Sequence, residues 1–261
     1  MTAYLHALAA VAAGLFGLAV GSFVGVVVDR VPKGASVVSP GSHCDACETP
    51  LRSVDNVPVL SYLVLRGRCR NCGATIPPRD LVFELVTAGL FVLLALRLPS
   101  LWALPAYAVF AAALVALAAI DLKLRRLPTP IIYWTAGVGG ALLVLASAAT
   151  GDWHALGVAA IGAAACFAAF FAVFFAVPKG MGFGDVRLAA LCGAFLGWIG
   201  PRVVPLGIFA GFVVAGLPAL VLVVAGKATR KSQLPFGPYL AVGALIGVCF
   251  GQAIVSTLGI F

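Results

Sequence analysis

Eight apolar runs, separated by short polar turns, organise the chain. They fall at 4–28, 81–96, 101–120, 130–149, 154–177, 186–199, 203–225 and 238–258. A helix that crosses a bilayer needs about 20 predominantly apolar residues. Six runs meet that length, and the runs at 81–96 and 186–199 are short. In the first run Gly14, Gly17, Gly21 and Gly25 recur mostly every fourth residue, which predicts a face for close helix packing. One long polar stretch, 29–80, breaks the pattern. The pattern predicts an all-α polytopic membrane protein of about eight transmembrane helices. Its expected parts are a first helix at 1–28, an insertion at 29–80 and helices two to eight at 81–261.

Composition agrees with this. Hydrophobic residues make up 62% and charged residues 10% of the 261, and mean hydropathy is +1.12. A soluble protein carries roughly 25% charged residues. The first run lacks a basic leader region and a cleavage site, so it reads as a retained helix. The net charge of +8 is read first as topology, because Lys and Arg stay on the cytoplasmic side. With 29–80 inside, Arg30, Lys33, Arg52, Arg66, Arg68, Arg70, Arg79, Lys123, Arg125, Arg126, Lys179, Arg187, Lys227, Arg230 and Lys231 all fall inside. Only Arg97 and Arg202 fall outside. Eight spans with both termini outside follow. The basic clusters lack the interleaved aromatics of a nucleic-acid site and could attract anionic lipid.

The insertion holds Cys44-x-x-Cys47 and, 21 residues on, Cys69-x-x-Cys72. Two such pairs read as a tetrahedral four-thiolate zinc site with no open position, hence structural. Two disulfides are the alternative, and a reducing compartment disfavours them. His43 is a possible substitute ligand, although an exposed polar role suits it better. Cys166, Cys192 and Cys249 lie in apolar runs and read as small buried hydrophobes.

Two acids stand where chemistry could be placed. Asp121 closes the nearly uncharged third run. Asp185 closes Lys179-Gly180-Met181-Gly182-Phe183-Gly184-Asp185 and is the only acid after Trp153. Each has an ordinary explanation. Asp185 can be a helix N-cap, and Asp121 an interfacial partner of Lys123 or Arg125. Yet both open to the same face. Two carboxylates at one site can share a proton, one acting as base on a water and the other as acid toward the leaving amine. Glycines at 182 and 184 would let a substrate strand approach. Glu84 could orient a substrate amine or cofactor but reads first as an ion-pair partner of Arg79 or another loop cation. Lys179 could contact substrate but reads first as a membrane anchor, and Pro235-Phe236-Gly237-Pro238 is punctuation that could shape a site mouth.

These residues resemble the type IV prepilin peptidases, which are membrane aspartic proteases. The likeness runs from Gly21-Ser22-Phe23 and Asp29-Arg30-Val31-Pro32 through both cysteine pairs and Asp55-Asn56-Val57-Pro58. It continues through Pro77-Pro78-Arg79 and Glu84-Leu85-Val86-Thr87 to Ile120-Asp121, Gly182-Phe183-Gly184-Asp185 and Pro235-Phe236-Gly237-Pro238. The resemblance implies catalysis by Asp121 and Asp185, with Gly182 and Gly184 in the active-site loop. It implies cleavage of prepilin or pseudopilin leaders at the cytoplasmic face, then N-methylation of the new terminus with S-adenosylmethionine. The zinc segment is typical of members that methylate. No motif assigns residues to that methyl donor. Gly25, Asp29, Phe183 and Leu122-Lys123 depart from the usual pattern. The competing expectations are a nonenzymatic zinc-bearing membrane scaffold for a secretion or pilus machine, and an ion-coupled transporter. The acids lie at helix ends rather than at the midplane, which counts against the transporter.

Overall fold

The computed structural model describes residues 2–177, 181–224 and 235–259. Lys179, Lys227, Arg230 and Lys231 lie outside the described residues. Nine α-helices occur among those described: α1 Thr2–Arg30, α2 Leu60–Val64, α3 Arg79–Arg97, α4 Leu104–Leu124, α5 Thr129–Thr150, α6 Trp153–Ala176, α7 Phe183–Ile199, α8 Val203–Val224 and α9 Gly237–Thr257. All but the one-turn α2 match an apolar run. Among the described residues five stretches are long and apolar enough to cross a membrane: Tyr4–Lys33, Leu101–Leu124, Thr129–Thr150, Trp153–Ala176 and Gly237–Thr257. Of the other long helices, α3 carries Arg79, Asp80, Glu84 and Arg97 and α7 has 17 residues, while α8 is 22 apolar residues long with Pro218 inside it. The chain divides into two compact units, Met1–Leu96 and Arg97–Phe261.

In the first unit α1 and α3 run antiparallel in close contact. A Cβ added at Gly17 would lie 2.7 Å from the Ala88 Cα, and one at Gly21 would lie 2.5 Å from the Glu84 Cα. At Gly25 it would reach a carboxylate oxygen of Asp80 at 3.0 Å. The glycine face predicted in the first run is therefore the α3-packing face. At Gly17 and Gly21 glycine is needed because backbone, not a movable side chain, occupies the space. The insertion between these helices has little regular structure: α2, short 3₁₀ turns and isolated bridges.

In the second unit the core lies among α4, α5, α7 and α9. Tyr107, Phe110, Leu114, Leu117, Phe195 and Leu240 are fully buried. Phe110 and Phe195 stack at 4.1 Å. The Tyr107 hydroxyl donates to the Phe195 carbonyl at 2.6 Å, and the Trp198 indole N–H donates to Ser147 Oγ at 3.0 Å. Buried aromatic polar atoms are thus satisfied, as a low-dielectric interior demands. α6 and α7 approach through Gly162 and Gly193, where an added Cβ would meet backbone oxygen at 2.4 and 2.3 Å. Large apolar side chains remain exposed on α5, α6 and α8, including Trp134, Leu145, Ile161, Phe175 and Phe209. Such faces suit lipid as solvent. Cys166, Cys192 and Cys249 are buried, as their apolar settings predicted.

Candidate active site and metal centre

Asp121 lies in the last turn of α4 and is only 5% exposed. α4 ends because Arg125 adopts a left-handed conformation, φ 51°, and its N–H caps the Asp121 carbonyl at 2.8 Å. The carboxylate turns inward rather than toward solvent cations. Its Oδ2 accepts the backbone N–H of Gly237 at 3.1 Å, in a buried hydrogen bond spanning 116 residues of sequence. Gly237 is the first residue of α9, so the positive end of that helix also faces the carboxylate. The interfacial ion-pair expectation for Asp121 gives way to this interior partner.

Asp185 is the third residue of α7, which starts at Phe183. It is therefore not the N-cap. Its Oδ2 reaches back to accept the Gly182 N–H at 3.2 Å, and its own N–H bonds the Gly182 carbonyl at 3.0 Å. This is half of a capping box, satisfying one orphan donor of the helix start. Asp185 also lies close enough to Asp121 for the two charges to act on one another. Leu127 packs beside the starts of both α7 and α9: added Cβ atoms at Gly184 and Gly237 would meet it at 3.0 and 3.1 Å. Arg187 donates to Thr129 Oγ1 at 2.7 Å and lies over the Phe183 ring at 4.5 Å. It thus ties the start of α7 to the start of α5. The roles of Leu127, Thr129 and Arg187 were not visible in sequence, where nothing marks which turn residues meet across helices.

The four insertion cysteines converge. Their sulfurs lie within 4.8 Å of one another, with Cys44 and Cys72 at 3.8 Å. A tetrahedron with metal–sulfur bonds of about 2.3 Å has edges of about 3.8 Å, so the cluster can hold a metal ion such as zinc. All four thiols are free rather than disulfide-bonded. The two halves repeat one fold, each residue matching one 25 positions later. The Cys44 N–H donates to the Thr49 carbonyl and the Cys69 N–H to the Ala74 carbonyl. Glu48 N–H donates to the Cys44 carbonyl and Gly73 N–H to the Cys69 carbonyl. Bridges pair His43 with Pro50 and Arg68 with Thr75. Gly73 takes φ 72° and Glu48, its counterpart, φ 56°, so the turn under each pair needs the left-handed region. The Thr49 hydroxyl, 3.3 Å from the Cys47 sulfur, helps lower that thiol to about 6, favouring the thiolate a metal requires. His43 is exposed, its Nδ1 3.0 Å from the Gly41 carbonyl. The Arg70 guanidinium holds Asp55 in a bidentate pair and keeps its carboxyl below the usual range.

The expected Glu84–Arg79 pair does not form. Arg79 instead bonds Asp29 and approaches Asp80 at 3.7 Å. Glu84 is buried, 7% exposed, and accepts the Val59 N–H at 2.7 Å. The reason is facing: five residues along a helix do not share a side, and Glu84 turns toward the α1 contact.

Residues 15–98 match the bacterial peptidase A24 N-terminal domain, and residues 108–220 match the type IV leader peptidase family. A curated prepilin leader peptidase/N-methyltransferase of Aeromonas hydrophila is 33% identical, over 92% of this chain and 90% of the relative. The chain belongs to the type IV leader peptidase family. Proteins of the same name from Burkholderia pseudomallei (strain K96243) and Bacillus subtilis (strain 168) are 35% and 32% identical. They cover 94% and 93% of this chain and 86% and 94% of their own lengths. No solved structure matches. As a type IV leader peptidase the protein is a membrane aspartic peptidase, and with several apolar helices it is a multi-pass inner-membrane protein.

Proposed function

We propose that Asp121 and Asp185 are the catalytic pair, cutting the leader from type IV prepilins or pseudopilins at the cytoplasmic membrane face. The observation that carries this reading is that two carboxylates 64 residues apart in sequence sit within electrostatic reach, each tethered by one backbone N–H. Like charges at one site cannot both ionise freely, so the pair holds a proton between them. The ionised member takes a proton from the attacking water. The protonated member supports the carbonyl oxygen and then protonates the leaving amine. The backbone bonds fix carboxylate orientation, and Gly182 keeps the approach to Asp185 free of a side chain, while Gly184 lets Leu127 pack against the start of α7.

The names of the relatives support a second step, methylation of the new N-terminus by S-adenosylmethionine. In this reading the insertion at 29–80 is a cytoplasmic domain that a structural zinc ion holds together through Cys44, Cys47, Cys69 and Cys72. In the same reading it and both aspartates lie inside and both termini outside, which the distribution of basic residues supports, and residues 81–261 form the peptidase domain. The test is a prepilin-like peptide incubated in proteoliposomes with wild type, Asp121→Asn and Asp185→Asn, reading product masses. Cleavage by wild type, with each variant slowed at least about 10²–10⁴-fold, supports the pair. Full cleavage by either folded variant refutes it.

A further inference from the structure

Part of the insertion folds back alongside the first unit's long helices. Asn56 and Pro58 share a cavity of about 290 Å³ with Ser22 and Phe23 of α1. The Val59 N–H donates to the Glu84 carboxylate of α3 at 2.7 Å, and the Ser22 side chain bonds the same carboxylate. One buried side chain thus fastens α1, α3 and the start of α2 at a single level. That level can be measured along the helices. Ser22 stands about 30 Å along α1 from Thr2, at about 1.5 Å per residue, and about 30 Å is the thickness of a bilayer's hydrocarbon core. Glu84 stands about 7.5 Å inside the start of α3 at Arg79. Exposed side chains mark the same edge. Large apolar residues exposed on α1 run from Tyr4 and end at Phe23, and those on α3 begin at Val82.

At this edge α2 presents an apolar face. Leu60, Leu63 and Val64, which share one side of a helical turn, are 62%, 62% and 74% exposed. Exposed apolar side chains grouped in this way mark an interaction surface. Between Val38 and Val54, around the metal cluster, no large apolar side chain is exposed. Directly after α2 the chain reverses, with Arg66 at φ 53° and Gly67 at φ 66°. The reversal leaves Arg66 and Arg68 exposed beside the apolar face. Among the described residues no salt bridge holds either. Asp55, the acid nearest to α2 in sequence, is taken by Arg70. An apolar face flanked by uncompensated cations, at the edge of the lipid-exposed band, has the make-up of an interfacial element. Such an element enters the headgroup–acyl boundary by about 5–10 Å and draws anionic lipid to its cations.

We propose that residues 57–68 form a membrane-interface anchor specific for anionic phospholipid. Leu60, Leu63 and Val64 enter the acyl boundary beside α1 and α3, and Arg66 and Arg68 meet lipid phosphates. The anchor keeps the metal-bearing insertion on the bilayer surface, whichever reaction the protein performs. In the test a diazirine-bearing amino acid replaces Leu63 in the zinc-loaded full chain. The protein is held in proteoliposomes of equal phosphatidylglycerol and phosphatidylcholine with identical acyl chains, and photoadducts are read by mass. Lipid adducts should dominate, with phosphatidylglycerol ahead at least about threefold. The same amino acid in place of Ala46, exposed beside the metal cluster, should react chiefly with water. Arg66→Gln combined with Arg68→Gln should bring the two lipids to near equality while total lipid adducts at position 63 persist. Each variant is checked for unchanged zinc content and melting temperature. Water adducts at position 63 as abundant as at position 46 overturn the anchor. Adducts to protein there overturn it as well, by showing that another segment or a partner covers the face. Equal labelling of the two lipids in the otherwise unaltered chain overturns the anionic preference. An unchanged ratio in the double arginine variant overturns the part given to Arg66 and Arg68.

Discussion

Replacing Gly237 with alanine should separate positioning of Asp121 from folding. The new Cβ would stand 2.7 Å from the Asp121 Oδ2, 3.3 Å from its Cγ and 3.1 Å from the Leu127 Cδ2. Carbon–oxygen contacts settle near about 3.3–3.6 Å, so the carboxylate has to retreat by about 0.6 Å or more. That movement stretches the 3.1 Å bond from the Gly237 N–H. A hydrogen bond to a charged group contributes about 1.5–3 kcal/mol, and a misplacement of about 1 Å at a reacting group can cost about 10²-fold in rate. The atoms that yield are side-chain ends, and alanine is the better helix former, so the fold should tolerate the change. The expected result is a fall in kcat of about 10–10²-fold, with KM and melting temperature little altered. The assay is single-turnover leader cleavage beside thermal unfolding in the same detergent. A kcat within twofold of wild type would refute the reasoning, because the carboxylate would not depend on this contact. A collapse in melting temperature would refute it differently, by showing that the contact serves packing.

Four other outcomes follow from geometry already described. Thr49→Val removes the hydroxyl beside the Cys47 sulfur and should lower metal affinity about 10–100-fold, read by chelator competition; Cys69→Ser should lower metal content further. Gly21→Ala drives a Cβ to 2.5 Å from the Glu84 Cα and 2.6 Å from the Phe83 carbonyl oxygen. Backbone cannot rotate away, so α1 and α3 must separate, at a cost of about 1–3 kcal/mol or more, seen as a lowered melting temperature. Tyr107→Phe deletes the buried donor to the Phe195 carbonyl and should cost about 1–3 kcal/mol. An unchanged unfolding midpoint would show that the carbonyl is satisfied within its helix.

The insertion shows how a metal centre can be legible while its architecture is not. The spacing of Cys44, Cys47, Cys69 and Cys72 was sufficient to anticipate a cluster, because two residues between thiols force a tight turn. That both turns are copies of one unit became plain only from matched hydrogen bonds. Glu48 stands where the second copy has Gly73, so the repeat is hidden at the residue a sequence comparison would weigh most. For Glu84 the sequence pointed the wrong way. Its nearest cation in the chain, Arg79, turned to Asp29, 50 residues earlier.

The sequence by itself determined the helices. Apolar runs must bury their backbone polar groups internally in lipid, and only helices do so within one segment, so run and helix agree to within a few residues. It also determined the α1 glycine face, because small residues at fixed spacing mark a close crossing. The partners of Asp121, Glu84 and Arg187 were decided by tertiary structure alone, whereas Asp185 meets its own helix start at Gly182. Asp121 meets a backbone N–H 116 residues away, Glu84 meets one 25 residues away, and Arg187 meets Thr129 across 58. Hydrophobic periodicity is a local signal that survives in any window of the chain. Which N–H a buried carboxylate finds depends on how helices rotate and cross, and that is set by the sum of packing contacts rather than by any one stretch.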